Sequence, residues 1–381
     1  LECAAYFWRD QWREGYGAAS EALTSLTPGS LPWCKTIAHQ FIFTSVGLRK
    51  DREFAELAGQ FAAVKPAQDA HTAYIEAGSW LVTMFTTLGQ RDAARGFMQL
   101  IDAAGAATDG GDLIAKARLE QAHMFYARML GADPGQTLRF AQASSDAFYQ
   151  AGDQRNFAFM EGYRGIALAD LGQLVDGEAR LRRSLTLAGT LREVLTTTNS
   201  QLYLALLLSR RRERCDEAFA LATEIMGRNP LADGVAHAAR AQALVWQGDR
   251  ASADVEARQA CAMLEMMPTL RLHPLAVLMR LLMTDARGHE ALVLADEGQA
   301  ELTRGGGGYN EVAFRLALAE LRHERGDRDG ARAALTDTLA AIDKRARGIA
   351  DPLLRASYET QVAENVRADE LLRSWSSSAS S

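Results

Sequence analysis

The sequence predicts an all-α protein, a solenoid of about nine antiparallel helical hairpins closed at its C-terminus by capping helices. Three observations predict it. Ala, Leu, Arg and Glu dominate, and proline occurs only 8 times in 381 residues. Strong helix formers are abundant and the strongest breaker is scarce. Apolar residues recur at three- and four-residue spacing, as in Val235, Ala238, Ala239, Ala241 and Val245, with no sustained period-two alternation. A short turn motif recurs at a near-constant period.

The motif is clearest at Gly89-Gln90-Arg91-Asp92-Ala93-Ala94, Gly248-Asp249-Arg250-Ala251-Ser252-Ala253 and Gly326-Asp327-Arg328-Asp329-Gly330-Ala331. A glycine ends one helix, a polar turn follows, and a small residue stands five positions on. Looser versions begin at Gly15, Lys50, Gly131, Gly172, Glu213 and Gly288. Taken in chain order, the nine anchors are separated by 35, 39, 42, 41, 41, 35, 40 and 38 residues. The first helix of each hairpin leads up to its anchor and the second leaves it. Glycine takes the left-handed conformation that closes the first helix. The small residue lets the second helix approach closely, and Ala241 and Ala319, seven before their anchors, serve the same contact. Each hairpin has apolar surface on more than one side and needs neighbours to cover it.

These residues, over about Gly15 to Arg345, resemble the tetratricopeptide repeat family, in a long-repeat bacterial variant. The period exceeds the family's 34 residues. Arg91, Arg250 and Arg328 replace its bulky residue two after the turn glycine, and its closing proline is mostly missing. The resemblance implies a right-handed superhelix with a ligand groove on the concave face.

The expected organisation is a repeat array over 1–346, capping helices over 347–375 and a disordered, serine-rich tail over 376–381. Asp351-Pro352 reads as a helix start, with Asp as N-cap and Pro in the first turn. Leu371, Leu372 and Trp375 would seal the last repeat. The stretch from Arg347 to Trp375 also resembles the closing segment of large bacterial signalling proteins. In those, a kinase or ATPase module precedes the helical array. Leu1 reads as the middle of a helix, so a fragment of a longer protein is expected.

Lys plus Arg number 42 and Asp plus Glu 48, a formal charge of -6. That lacks the basic footprint of a nucleic-acid binder. The local run Arg210-Arg211-Arg212 with Arg214 sits at a helix end, where cations complement the helix dipole. No apolar run approaches the roughly 18 residues of a membrane span. Cys3, Cys34, Cys215 and Cys261 form no CxxC pair and fit a reducing, cytoplasmic setting.

Catalytic chemistry finds no foothold in the sequence. The seven histidines make no HExxH pair, so no metal is expected. Gly305 to Gly308 lacks both the following GK[ST] and the preceding strand of a phosphate loop, and reads as a flexible inter-repeat loop. No cofactor is expected. The turn aspartates Asp92, Asp249, Asp327 and Asp329 recur with the repeat, which is turn and N-cap chemistry. The chain is therefore expected to be no enzyme, an α/α-toroid enzyme being the least favoured alternative.

Groove positions fall thirteen, ten, six and three residues before each anchor. Before Gly131 these are Arg118, Gln121, Phe125 and Arg128, two fork-shaped cations with an amide and an aromatic ring. Tyr203, Gln242 and Glu320 occupy such positions in later repeats. A protein or peptide partner in the groove is expected, an upstream effector domain of the same chain included. Membrane is excluded as a partner and nucleic acid is not expected. The leading expectation is the sensor or regulatory region of a larger bacterial signalling or transcription-control protein. A stand-alone adaptor or scaffold is the alternative.

Overall fold

A computed structural model describes residues 2–108, 110–284 and 287–377. The described residues form twenty α-helices. Nine hairpins follow one another: α1 (Glu2–Trp8) with α2 (Trp12–Leu23), α3 (Leu31–Ile42) with α4 (Asp51–Ala63), α5 (His71–Thr87) with α6 (Arg91–Ala106), α7 (Leu113–Tyr126) with α8 (Pro134–Gln150), α9 (Gln154–Asp170) with α10 (Leu174–Leu191), α11 (Val194–Ser209) with α12 (Cys215–Glu224), α13 (Pro230–Gln247) with α14 (Arg250–Met263), α15 (Pro268–Thr284) with α16 (Gly288–Gly305), and α17 (Glu311–Glu324) with α18 (Arg328–Gly348). The helices α19 (Pro352–Gln361) and α20 (Ala363–Ser377) close the array against α18 and α17. Ser376 and Ser377 belong to α20; 378–381, where the rest of the tail was expected, lie outside the described residues. No described helix is long and apolar enough to cross a membrane.

The turn chemistry follows the sequence. Gly89, Gly172, Gly248 and Gly326 all have left-handed φ, from +70° to +85°. Asp249 and Asp327 cap the next helices by accepting from Ser252 N (3.1 Å) and Gly330 N (2.9 Å). Asp351 accepts from Leu353 N (2.8 Å) and Leu354 N (3.2 Å) at the start of α19. The weaker anchors shift. Gly15 lies inside α2 and not in a turn; the turn is at Asp10, with φ +61°. Gly15 is the small residue five positions on, pressed against the Phe43 ring. In the fourth hairpin Ala132, not Gly131, takes the left-handed conformation.

The two helices of a hairpin differ in burial. First helices form an inner layer, and α5 buries nearly every residue from Ala73 to Thr87. Second helices form an outer layer with one apolar stripe, in α6 Ala94, Met98, Ile101 and Ala104. Two first helices end in a π turn, at Phe43–Gly47 and Ala127–Gly131. The extra residue in such a turn re-aims the side chains that follow, and Arg128 stands in the second.

The superhelix closes on itself. Gly305 to Gly308 are all buried, so the flexible loop expected there is a tight internal seam. Arg91 Nε donates to Gly305 O (3.2 Å) and Arg91 Nη2 to Leu130 O (3.3 Å). Thr269 Oγ1 donates to Met129 O (3.1 Å), and Asn310 Nδ2 to Thr269 O (2.9 Å). A Cβ on Gly308 would stand 2.5 Å from Met129 O, and one on Gly89 2.9 Å from Gly305 Cα. The glycines are there because two backbones meet. Hairpins three and four thereby touch hairpins eight and nine, and the concave face becomes an interior.

Candidate functional site

Two chambers of the interior share Tyr309 in their walls. The first is apolar, with about 960 Å³ of empty space, part of it open to solvent. Its wall is a relay of rings from successive inner helices. Trp80 (α5) meets Phe159 (α9) at 6.2 Å between centroids, Phe159 meets Tyr163 at 5.0 Å, and Tyr163 meets Phe125 (α7) at 4.8 Å and Tyr203 (α11) at 5.3 Å. The three contacts of Tyr163 are edge-to-face, a geometry that holds each ring in place. Leu206, Val235 and Leu270 complete the wall, and Thr83, Thr198, Asn199 and Asn229 supply its few polar groups. Burial raises the Tyr163 and Tyr203 hydroxyl pKa values above the ordinary tyrosine value, so both stay neutral.

Arg128 lines the second chamber, beside the Tyr309 ring that both chambers share. Its guanidinium lies 3.5 Å from the centre of the Tyr309 ring and 5.5 Å from that of Tyr203. Its Nε donates to Asp170 Oδ2 at 3.0 Å. Burial alone would disfavour the charge, but the Asp170 carboxylate and the two tyrosines hold its pKa above the ordinary arginine value. Arg128 Nη2 is buried and makes no hydrogen bond.

The second chamber has charged side chains set in a partly apolar wall, with about 640 Å³ of empty space, part of it open to solvent. Arg128, Asp170, Arg210, His273, Arg345 and Glu364 line it. Arg210 also reaches Asp170, at 3.5 Å. Arg345 is tied to Glu311 (2.8 Å) and to Gly308 O (2.8 Å). Burial lowers the His273 pKa to about 4, helped by Arg210, so its imidazole is neutral near pH 7.

The structure distributes the sequence-derived groove residues unevenly. Phe125, Arg128 and Tyr203 meet inside, around the two chambers. Arg118 and Gln121 are buried and engaged with each other (2.9 Å), and Arg118 also pairs with Glu76 at 2.6 Å. Arg118 borders a separate hollow beside Trp8, Lys35 and His39, so it does not join Arg128 in one clamp. Glu320 accepts from Arg280 (2.9 Å) and from Arg367 (3.1 Å) of α20, which ties the capping helix to the array. Gln242 is half-buried on α13 and lines neither chamber. The basic run is absorbed structurally, since Arg211 (3.4 Å) and Arg214 (3.2 Å) pair with Glu178. Among the described residues no group of three or more His, Cys, Asp or Glu side chains could hold a metal.

Sequence reasoning missed Trp80, Phe159, Tyr163, Tyr309 and His273. Phe159 was readable, since it lies thirteen before Gly172, the register that gives Arg118 before Gly131. Tyr309 had no signal, because it stands between hairpins and reaches Arg128 only through closure of the superhelix.

No protein-family model and no curated protein matches the chain. Solved structures do. A Rap protein complexed with Competence and Sporulation Factor aligns with TM-score 0.59 at 11% identity, over 90% of this chain and 99% of that one. NprR in complex with its cognate peptide NprX aligns with TM-score 0.55 at 10% identity, over 89% and 99%. Human IFIT1, as a dimer with m7Gppp-AAAA, aligns with TM-score 0.52 at 12% identity, over 100% and 89%. The chain shares their tetratricopeptide-type repeat fold. Each alignment runs nearly end to end on both chains, so the likeness embraces the whole superhelix and not a single hairpin pair.

Proposed function

We propose that the chain is a non-catalytic peptide receptor whose superhelix interior holds an extended, largely apolar peptide segment. The observation that carries this reading is the aromatic relay from Trp80 to Tyr203 around a cavity with few polar groups. A cavity of this kind takes apolar side chains by area burial. Asn199 offers a donor and an acceptor at one point, which suits the N–H and C=O of a passing peptide unit. A Rap protein solved with Competence and Sporulation Factor, and NprR solved with its cognate peptide NprX, support a peptide-receptor reading. The receptor would serve a larger bacterial signalling protein, transmitting occupancy of the groove to an effector.

The test uses the intact chain. Octapeptides selected from a random synthetic library are measured by titration calorimetry against the natural chain and against Val235→Trp, which fills the apolar chamber. Affinity should fall by more than about tenfold with an unchanged circular dichroism spectrum. Equal binding to both would remove the apolar chamber from the reading.

A further inference from the structure

The second chamber gathers four buried polar atoms that the chain leaves unpaired. We propose that it is a second binding site, for an uncharged polyhydroxylated molecule the size of a monosaccharide, held between the capping helices and the inner layer. This site is separate from the apolar chamber and does not depend on the peptide reading.

The unpaired atoms come from four elements. Arg128 Nη2 stands in the π turn after α7, His273 Nε2 on α15, Tyr358 Oη on α19 and Asn365 Oδ1 on α20. Each is buried without a hydrogen-bond partner among the described residues, and all four residues line the chamber. Arg128 is 3% exposed, and Tyr358 and Asn365 are 4% exposed each. A buried polar group left unpaired is costly. Four of them around one hollow form a set that a ligand completes.

Their chemistry is mixed. Arg128 Nη2 can only donate. Asn365 Nδ2 donates to Tyr358 O at 2.7 Å, which fixes the amide and leaves Oδ1 able only to accept. His273 is neutral near pH 7, so its Nε2 donates or accepts according to the tautomer. Burial keeps the Tyr358 hydroxyl protonated, and it can do either; Arg345 and Asn365 stand near it without closing a bond on it. A ligand hydroxyl answers every one of these atoms, since it carries one donor and two acceptor lone pairs. Partners supplied by four separate elements call for hydroxyls around the whole perimeter of the ligand, which a polyol ring has.

The charges exclude an ion. Arg128, Arg210 and Arg345 line the chamber against Asp133, Asp170 and Glu364, three of each sign, so with His273 neutral the wall sums to zero. An anion would meet three carboxylates and a cation three guanidiniums, and a buried charge without a partner of its own is expensive. An uncharged ligand with strong local dipoles meets neither penalty. The space agrees, since about 640 Å³ falls within the range of about 300–1,000 Å³ of small-molecule sites.

The experiment is titration calorimetry on the intact chain near pH 7. Glucose, galactose and mannose are measured first, then the uronate and the amino sugar of whichever hexose binds. At least one hexose should bind saturably, one per chain, and its anionic and cationic relatives at least about tenfold more weakly. Tyr358→Phe deletes a hydroxyl that pairs with nothing in the free chain. Its melting temperature should therefore hold while hexose affinity falls about three- to tenfold, the span of one hydrogen bond between neutral groups. Asn365→Ala should weaken the hexose too; it also loses the bond to Tyr358 O, so a circular dichroism melt checks its fold. Peptide binding in the apolar chamber should be unchanged in Tyr358→Phe, which keeps the two readings apart. No saturable binding of any of the three hexoses at millimolar concentration would overturn the proposal and assign the four atoms to bound water. Equal affinity in Tyr358→Phe and the natural chain, or equal binding of the charged sugars, would overturn it as well.

Discussion

The guanidinium of Arg128, in the fourth hairpin, lies 3.5 Å from the centre of the Tyr309 ring, between the eighth and ninth. A desolvated contact of this type contributes about 2 kcal/mol. It is made between segments far apart in sequence, so it reports on closure of the superhelix. Tyr309→Ala should lower the unfolding free energy by about 2–4 kcal/mol, from lost packing and lost cation–π attraction. Tyr309→Phe should stay within about 1 kcal/mol. Urea unfolding of the two variants is the check; equal losses would show that the ring face is not what matters.

The glycine seam gives a second prediction. Gly306 has φ +73°, and a Cβ there would overlap the Arg91 guanidinium. Gly306→Ala should therefore cost about 3 kcal/mol or more, strain and overpacking combined. It should also enlarge the radius of gyration in small-angle scattering. Gly152 has φ +75° with nothing near its Cβ position, so Gly152→Ala should cost only about 1 kcal/mol and leave the scattering curve unchanged.

Acid sensitivity should come from His273. Its folded pKa, about 4, lies below the ordinary value of 6.5 because the imidazole is buried, with Arg210 adding to the effect. The unfolded chain takes up a proton between pH 6.5 and 4 while the folded chain does not, so stability falls across that window as pH drops. The loss is on the order of 3 kcal/mol. His273→Gln should flatten this part of the stability–pH profile. A profile equally steep in the variant would assign the acid sensitivity elsewhere.

Asp10 has the opposite sign. Burial raises its carboxyl to about 6 from an ordinary 3.8, against the pull of Arg228. The folded state holds the proton longer than the unfolded state, so this group favours folding below pH 3.8 and loses that advantage as pH rises through 6. Asp10→Asn should stabilise the chain at pH 7 and have little effect near pH 3.5. Thermal melts at the two pH values decide it.

The N-cap of α19 supplies a milder case. Asp351→Ala removes two backbone acceptor bonds at an exposed helix start, and should cost about 1 kcal/mol. A larger loss would mean that α19 and α20 hold the preceding hairpins together more strongly than their packing indicates.

The hairpins were legible because their determinants are local. Gly89, Gly172, Gly248 and Gly326 mark left-handed turns, and Asp249, Asp327 and Asp351 mark helix starts; each acts within four residues of itself. Register along one helix is local too, so Phe125, Arg128 and Tyr203 could be placed on the inner face. What each inner residue meets is decided by how far the superhelix turns per hairpin, a sum of small rotations that no single motif records. That is why Arg118 read as a groove position open to a partner although Glu76 of the preceding hairpin holds it. It is also why Gly305 to Gly308 read as a loose loop, since the backbone they press against belongs to hairpins more than 170 residues earlier.

The seam has a consequence for how such an array can change over generations. An open solenoid gains or loses a unit freely, because each unit answers only to its neighbours. Here the distance from Gly89 to Gly305 must bring two bare backbones into register, with Arg91 reaching across to a carbonyl on the far side. Adding or removing one hairpin between them would carry the glycines past each other by a whole repeat step. The number of repeats is thus fixed by a closing condition, as the number of staves is fixed by the hoop of a barrel.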